Sequence, residues 1–183
     1  MQKQAVWTSV DFLVWAQAPE QTGRLWELLN GEVHEKMPTE RHSLIAGNIY
    51  AALRAWAKAK QAGRVVFEAR FISLSDPANA RIPDVAFTRT ERLAPVVEQG
   101  AVNILPDVCV EVQSPNDTPR TLREKAAWYL AQGVQEVWLV YPAKRLLEVL
   151  TPDGDFTLYP ESSTLRSVQL AGFELPISAI FED

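Results

Sequence analysis

Apolar and polar residues alternate with a period of two over residues 108–113. Val108, Val110 and Val112 fall on one face of an extended segment, and Cys109, Glu111 and Gln113 on the other. The run Ser114-Pro115-Asn116-Asp117 ends this strand. Thr118 or Asp117 then caps a helix over 119–132, with Pro119 in its first turn and Gly133 beyond its end. Leu122, Ala126, Tyr129 and Leu130 make its buried stripe. A longer helix is predicted over 40–62, opened by Pro38-Thr39 and stopped by Gly63. Leu44, Ile45, Ile49, Ala52, Leu53 and Trp56 recur there at helical spacing.

The remaining periodicity is mostly that of strands. Asn30-Gly31 between the runs 25–29 and 32–37 predicts a hairpin with a type I′ turn, its charges decorating a solvated face. Residues 64–68 and 70–74 read as one bent strand or two short ones, 75–79 as a turn, 81–88 as a strand and 89–103 as a loop. Residues 136–141 form a buried strand, and a hairpin follows across Pro152-Asp153-Gly154. One more strand is expected near 167–170 and a short helix near 177–181. Another short helix starts at Thr8-Ser9-Val10-Asp11. This order implies a mixed α/β fold: a central sheet flanked by helices, an N-terminal hairpin and a C-terminal β extension.

A chain of 183 residues, 47% of them hydrophobic, is expected to form one globular domain over 1–183. No apolar run approaches the roughly 20 residues of a membrane span, and the first residues lack an apolar signal core. The single cysteine, Cys109, fits a reducing cytoplasm; with two histidines it makes a structural zinc site improbable on composition. The net charge of −5 argues against nucleic-acid binding driven by overall charge and leaves room for a local basic groove. Arg81, Arg120, Arg123, Lys144 and Arg145 are candidates for a phosphate-facing rim.

Two acids sit inside otherwise apolar strands, Asp84 and Glu111, and a buried carboxylate is costly unless something compensates it. If their strands are neighbours, the two can converge, and a divalent cation relieves their repulsion. Mg2+ (or Mn2+) suits such oxygen donors together with substrate phosphate and water, and polarises a phosphoryl oxygen. Lys125 borders the buried stripe of its helix and can orient water or stabilise developing charge. Gln113 completes this constellation, and Glu32 is a third acid if the hairpin lies against the sheet edge. The plain alternatives are a solvated glutamate for Glu32 and a surface salt bridge for Lys125. His42, in the first helical turn, is either a capping or packing residue or a catalyst.

The runs RIPDVAF, PDVCVEVQSPND and LREKAAWYLAQGVQEVWLVYP resemble the Uma-two family of restriction-endonuclease-like proteins. The earlier ELLNGEVHEKMP with RHS, and the late LAGFELPISAIF, are similar to that family's opening and closing motifs. The resemblance implies a PD-(D/E)xK nuclease-type core with Asp84 as the first acid and Glu111 as the second, both metal ligands. The usual lysine two residues after the second acid is replaced by Gln113, and Lys125 is the matching candidate from the following helix. Glu32 matches an additional acidic position, and His42 a recurring histidine of unassigned role. The expectation is a Mg2+- or Mn2+-dependent DNA endonuclease acting as a homodimer or higher homo-oligomer, with no membrane partner. The six tryptophans and the strand edges of the C-terminal extension suit such an interface. The rival is a non-catalytic module that keeps the fold and binds protein or nucleic acid. A third possibility is a hydrolase of phosphorylated small molecules.

Overall fold

The structure is a computed structural model and describes residues 6–115 and 117–183. Asn116, within the expected strand-ending turn, and the first five residues lie outside the described residues. In chain order the elements are α1 (Ser9–Ala16), β1 (Leu25–Leu29), β2 (Glu32–Lys36), α2 (Glu40–Lys60), β3 (Gly63–Phe67), β4 (Phe71–Ser73), β5 (Asp76–Arg81) and β6 (Val85–Arg89). Then follow β7 (Val108–Val112), α3 (Pro119–Ala131), β8 (Glu136–Tyr141), β9 (Leu146–Leu150), β10 (Phe156–Pro160), β11 (Thr164–Arg166) and β12 (Glu174–Pro176). The fold is mixed α/β. Contacts gather the chain into two units. No helix among the described residues is long and apolar enough to cross a membrane.

The first unit comprises Met1–Met37, Ala69–Ile82 and Ala94–Leu105. Its antiparallel sheet has the order β2-β1-β5-β4. The β1–β2 hairpin turns at Asn30 and Gly31, whose φ values of 52° and 83° are those a type I′ turn demands. Its core gathers Phe12, Leu28 and Ala80, with Trp7, Trp15 and Trp26 packed around them.

Two expectations fail in this unit. Residues 76–79, expected as part of a turn, begin β5, because Asn79 is buried and satisfied there. It accepts from Asn30 N (3.1 Å) and Arg81 Nη2 (2.8 Å) and donates to Asp76 Oδ2 (2.8 Å). Glu27, expected as solvated decoration, is buried and accepts from Ile82 N at 2.8 Å.

The second unit comprises Pro38–Glu68, Pro83–Leu93 and Pro106–Asp183. Its six-stranded sheet has the order β10-β9-β8-β7-β6-β3. Only β7 and β8 pair in parallel, and α3 is the crossover between them. Ile45, Ile49 and Leu53 of α2 pack with Val85, Phe87, Val108, Val110 and Val112, closed over by Phe173 and Ile180 of the tail. Strand alternation turns Cys109, Glu111 and Glu148 to the opposite face, where α3 supplies side chains to both acids.

Local chemistry shifts three boundaries in the second unit. Helix α2 ends at Lys60 because Gln61 takes the left-handed cap (φ 53°). Gly63 opens β3 instead of stopping the helix, and a Cβ there would lie 2.1 Å from Thr88 O. The strand expected at 81–88 splits: Arg81 closes β5 and β6 begins at Val85, since Pro83 has no N–H for a ladder. The tail at 167–170 is a cap instead of a strand. Ser167 Oγ accepts from Gln169 N and Leu170 N, and buried Glu136 accepts from Ser167 Oγ (2.8 Å) and Gln169 N (3.1 Å).

Candidate active site

Strands β6 and β7 are antiparallel neighbours with Val85 opposite Val110. Asp84 is the residue before Val85, just ahead of β6, and Glu111 is the residue after Val110 on β7. The backbone N–H of Asp84 donates to Val110 O at 2.9 Å, which ties the link to the strand. Its carboxylate turns back onto the sheet, where Oδ2 accepts from Val112 N at 2.6 Å. His42 Nε2 lies 3.1 Å from the same oxygen. Thr39, the N-cap of α2, accepts from His42 N at 3.3 Å and so sets where that ring leaves the helix. Asp84, Glu111 and His42 are 1%, 1% and 3% exposed.

Glu111 is compensated from α3. That helix starts with a capping box between Thr118 and Thr121 and has Pro119 at its first position. Lys125 and Tyr129, four residues apart, therefore lie one above the other on its inner face. Tyr129 OH donates to Glu111 Oε1 at 2.8 Å, and Lys125 Nζ stands 3.3 Å from Oε2. The neighbouring Cys109 thiol is pushed well above its usual range by burial and then by the charge of Glu111, which disfavours the reactive thiolate.

A second acid–cation–tyrosine group lies along the same strand step. Glu111 pairs with Leu139 across β7–β8, and Leu139 with Glu148 across β8–β9. Glu148 accepts from Arg123 Nη2 and from Tyr141 OH, both at 2.8 Å. Burial, followed by the hydrogen bond to Glu148, pushes Tyr141 up to about 12.

The other sequence candidates have partners of their own. Gln113 Nε2 donates to Asp117 O at 2.9 Å and is committed to the turn after β7. Glu32 belongs to the first unit, on the hairpin, with an exposed side chain 3.8 Å from His34. Among the expected rim cations, Arg81 is buried and donates to Asn79, while Arg120, Arg123 and Arg145 face Glu124, Glu148 and Glu161. A cleft of about 440 Å³ opens beside His42, lined also by Thr39, Arg41, Gln113, Ser114 and Pro142.

Among the described residues, no three His, Cys, Asp or Glu side chains form a metal-holding cluster. Asp84 and Glu111 carry hard oxygen donors, the kind that Mg2+ and Mn2+ take together with phosphate and water. Tyr129 was hidden in the sequence by its place in an apolar stripe; the only signal was that a buried tyrosine hydroxyl needs a partner.

A sequence model of the Uma2 family, described as "Putative restriction endonuclease", matches residues 10–178. The crystal structure of a "putative nuclease belonging to DUF820" from Anabaena variabilis ATCC 29413 superposes with a TM-score of 0.79. It is 22% identical, and the match covers 95% of this chain and 97% of that one. At that identity the likeness concerns the fold. No functionally curated protein matches the chain.

Proposed function

Because the chain belongs to the Uma2 family, we propose that it is a Mg2+- or Mn2+-dependent endonuclease that hydrolyses phosphodiester bonds of DNA. The observation that carries this reading is the placement of two buried acids, Asp84 just before β6 and Glu111 on the neighbouring β7, with Lys125 Nζ 3.3 Å from Glu111. Asp84 and Glu111 would hold the metal, which supplies an activated water and a counter-charge for the phosphate. Lys125 stabilises negative charge as it builds on the phosphoryl oxygens, from a side chain only 14% exposed. Tyr129 keeps Glu111 turned toward that lysine. The family description and the fold of the Anabaena protein support a nucleic-acid substrate.

The test is cleavage of plasmid and linear duplex DNA in Mg2+ or Mn2+ by wild type, Asp84→Asn, Glu111→Gln and Lys125→Met. Cleavage lost in all three variants and abolished by a chelator is the expected result. Cleavage that persists in Asp84→Asn and Glu111→Gln would refute the assignment. A homodimer or higher homo-oligomer is proposed with it, since a two-fold dimer presents one site to each strand of a duplex. A monomeric mass by light scattering at working concentration would count against that part.

One observation favours a non-catalytic binding module as the second reading. Gln113, just past β7, occupies the position where the nuclease motif has its lysine, and its amide donates to Asp117 O. DNA binding without cleavage in either metal would select this reading.

A further inference from the structure

We propose that His42 and Tyr129 are positioning residues, each holding one of the two candidate metal carboxylates from a different helix. This rests on the two-carboxylate reading of the site. Tyr129 is fully buried in the stripe that α3 turns to the sheet. A phenylalanine would fill that volume equally well; the hydroxyl adds a 2.8 Å bond to Glu111 Oε1. Lys125 holds the other oxygen at 3.3 Å. One donor alone leaves a carboxylate free to rotate about its last torsion. Two donors from successive turns of one helix fix its plane.

Asp84 is approached from β7 and from α2. Its Oδ2 is bracketed by Val112 N at 2.6 Å and His42 Nε2 at 3.1 Å. Both ring nitrogens of His42 are buried and without a hydrogen-bond partner among the described residues, and Nε2 makes its 3.1 Å approach to Asp84 as an ion-pair contact. The acid that this ring approaches is Asp84. A buried imidazole in the first turn of a helix, placed by the Thr39 cap and directed at an acid, fits a role in placing that acid. Neither residue touches the reacting atoms in this assignment; both act through the carboxylates.

Groups that orient metal ligands in this way are typically worth about 10- to 100-fold in metal affinity. The experiment combines crystal structures with calorimetric Mn2+ titration of the full chain, for wild type, Tyr129→Phe, His42→Ala and His42→Gln. In Tyr129→Phe the Glu111 carboxylate is expected to rotate from its wild-type plane, with Mn2+ bound about 10- to 100-fold more weakly. His42→Ala should free Asp84 and weaken Mn2+ similarly. His42→Gln, whose Nε2 reaches a comparable place, should recover most of the loss. If His42→Ala does not fold, Tyr129→Phe and His42→Gln carry the test, His42→Gln then being expected to keep Asp84 in place. Carboxylates that stay in their wild-type orientation in Tyr129→Phe and His42→Ala, with unchanged affinity, overturn the proposal. If wild type itself takes up no Mn2+, the metal reading has failed separately. The crystal structures then decide alone: displaced carboxylates sustain the positioning roles and undisplaced ones overturn them.

Discussion

Val112 donates its backbone N–H to Asp84 Oδ2 at 2.6 Å, so a side-chain oxygen stands where a strand carbonyl would ordinarily accept. The first candidate acid is thus also part of the sheet's own hydrogen bonding. Asp84→Ala should leave a buried N–H without its acceptor and cost about 1–3 kcal/mol, read as a lowered urea midpoint at unchanged slope. Asp84→Asn keeps an amide oxygen for Val112 and should lose much less. If the alanine variant is as stable as wild type, Asp84 is not the structural acceptor described. The asparagine variant is accordingly the better probe of chemistry.

Gly63 should tolerate no side chain. A Cβ at that position would lie 2.1 Å from Thr88 O and 2.8 Å from Phe87 Cε2, and the first of these is backbone within the β3–β6 ladder. Gly63→Ala must force the edge strand away from β6, at a cost of about 1–3 kcal/mol or more. Thermal unfolding of the two proteins side by side tests this, and an unchanged midpoint would refute the close approach.

Most of the sheet was legible because its signals are local. The valine alternation at 108–112 and the Asn30-Gly31 turn each follow from a few adjacent residues. The misreadings came where a distant residue decides. Glu27 looked solvated because nothing nearby in sequence announces Ile82 N as its donor, 55 positions away. Asp76 and Asn79 looked like turn formers because their side chains satisfy each other inside a strand. At the site, the spacing in α3 set Lys125 beside the buried stripe, and its ammonium faces Glu111. Tyr129 in the same stripe was indistinguishable from packing, because helical spacing says nothing about where a hydroxyl finds its acceptor. Gln113 and Glu32 were grouped with the acids by strand alternation and by the expected place of the hairpin; in the structure the Gln113 amide donates to Asp117 O, and Glu32 lies on the hairpin of the first unit.

Cys109 should behave as an inert thiol in the native protein. It is fully buried on the strand beside Glu111, and both burial and that charge oppose the thiolate, the reactive form. A thiol reagent of the aromatic disulfide type should react with the native chain only at the rate of opening, and at once after denaturation. Cys109→Ala should leave any metal binding unaltered. Rapid modification under native conditions would contradict the burial of this strand.

The group formed by Arg123, Glu148 and Tyr141 predicts an alkaline limit to stability. Tyr141 is pushed up to about 12 by burial and then by its bond to the Glu148 carboxylate, while an unfolded tyrosine ionises near 10. Between these values the folded chain holds a proton that the unfolded chain has released, so the slope of unfolding free energy with pH is negative. The stabilisation is complete below about pH 10 and is lost as pH rises toward 12. Glu148→Gln removes the neighbouring negative charge and should move the Tyr141 midpoint downward, though not to the unfolded value, because burial is the larger cause. Arg123→Gln should move it upward, since the guanidinium opposes the shift. Phenolate absorbance across an alkaline titration, with Tyr141→Phe as the reference that identifies the signal, measures all three. A Tyr141 signal that ionises near 10 in wild type, or midpoints that move in the same direction in both variants, would refute the pairing of Tyr141 with Glu148.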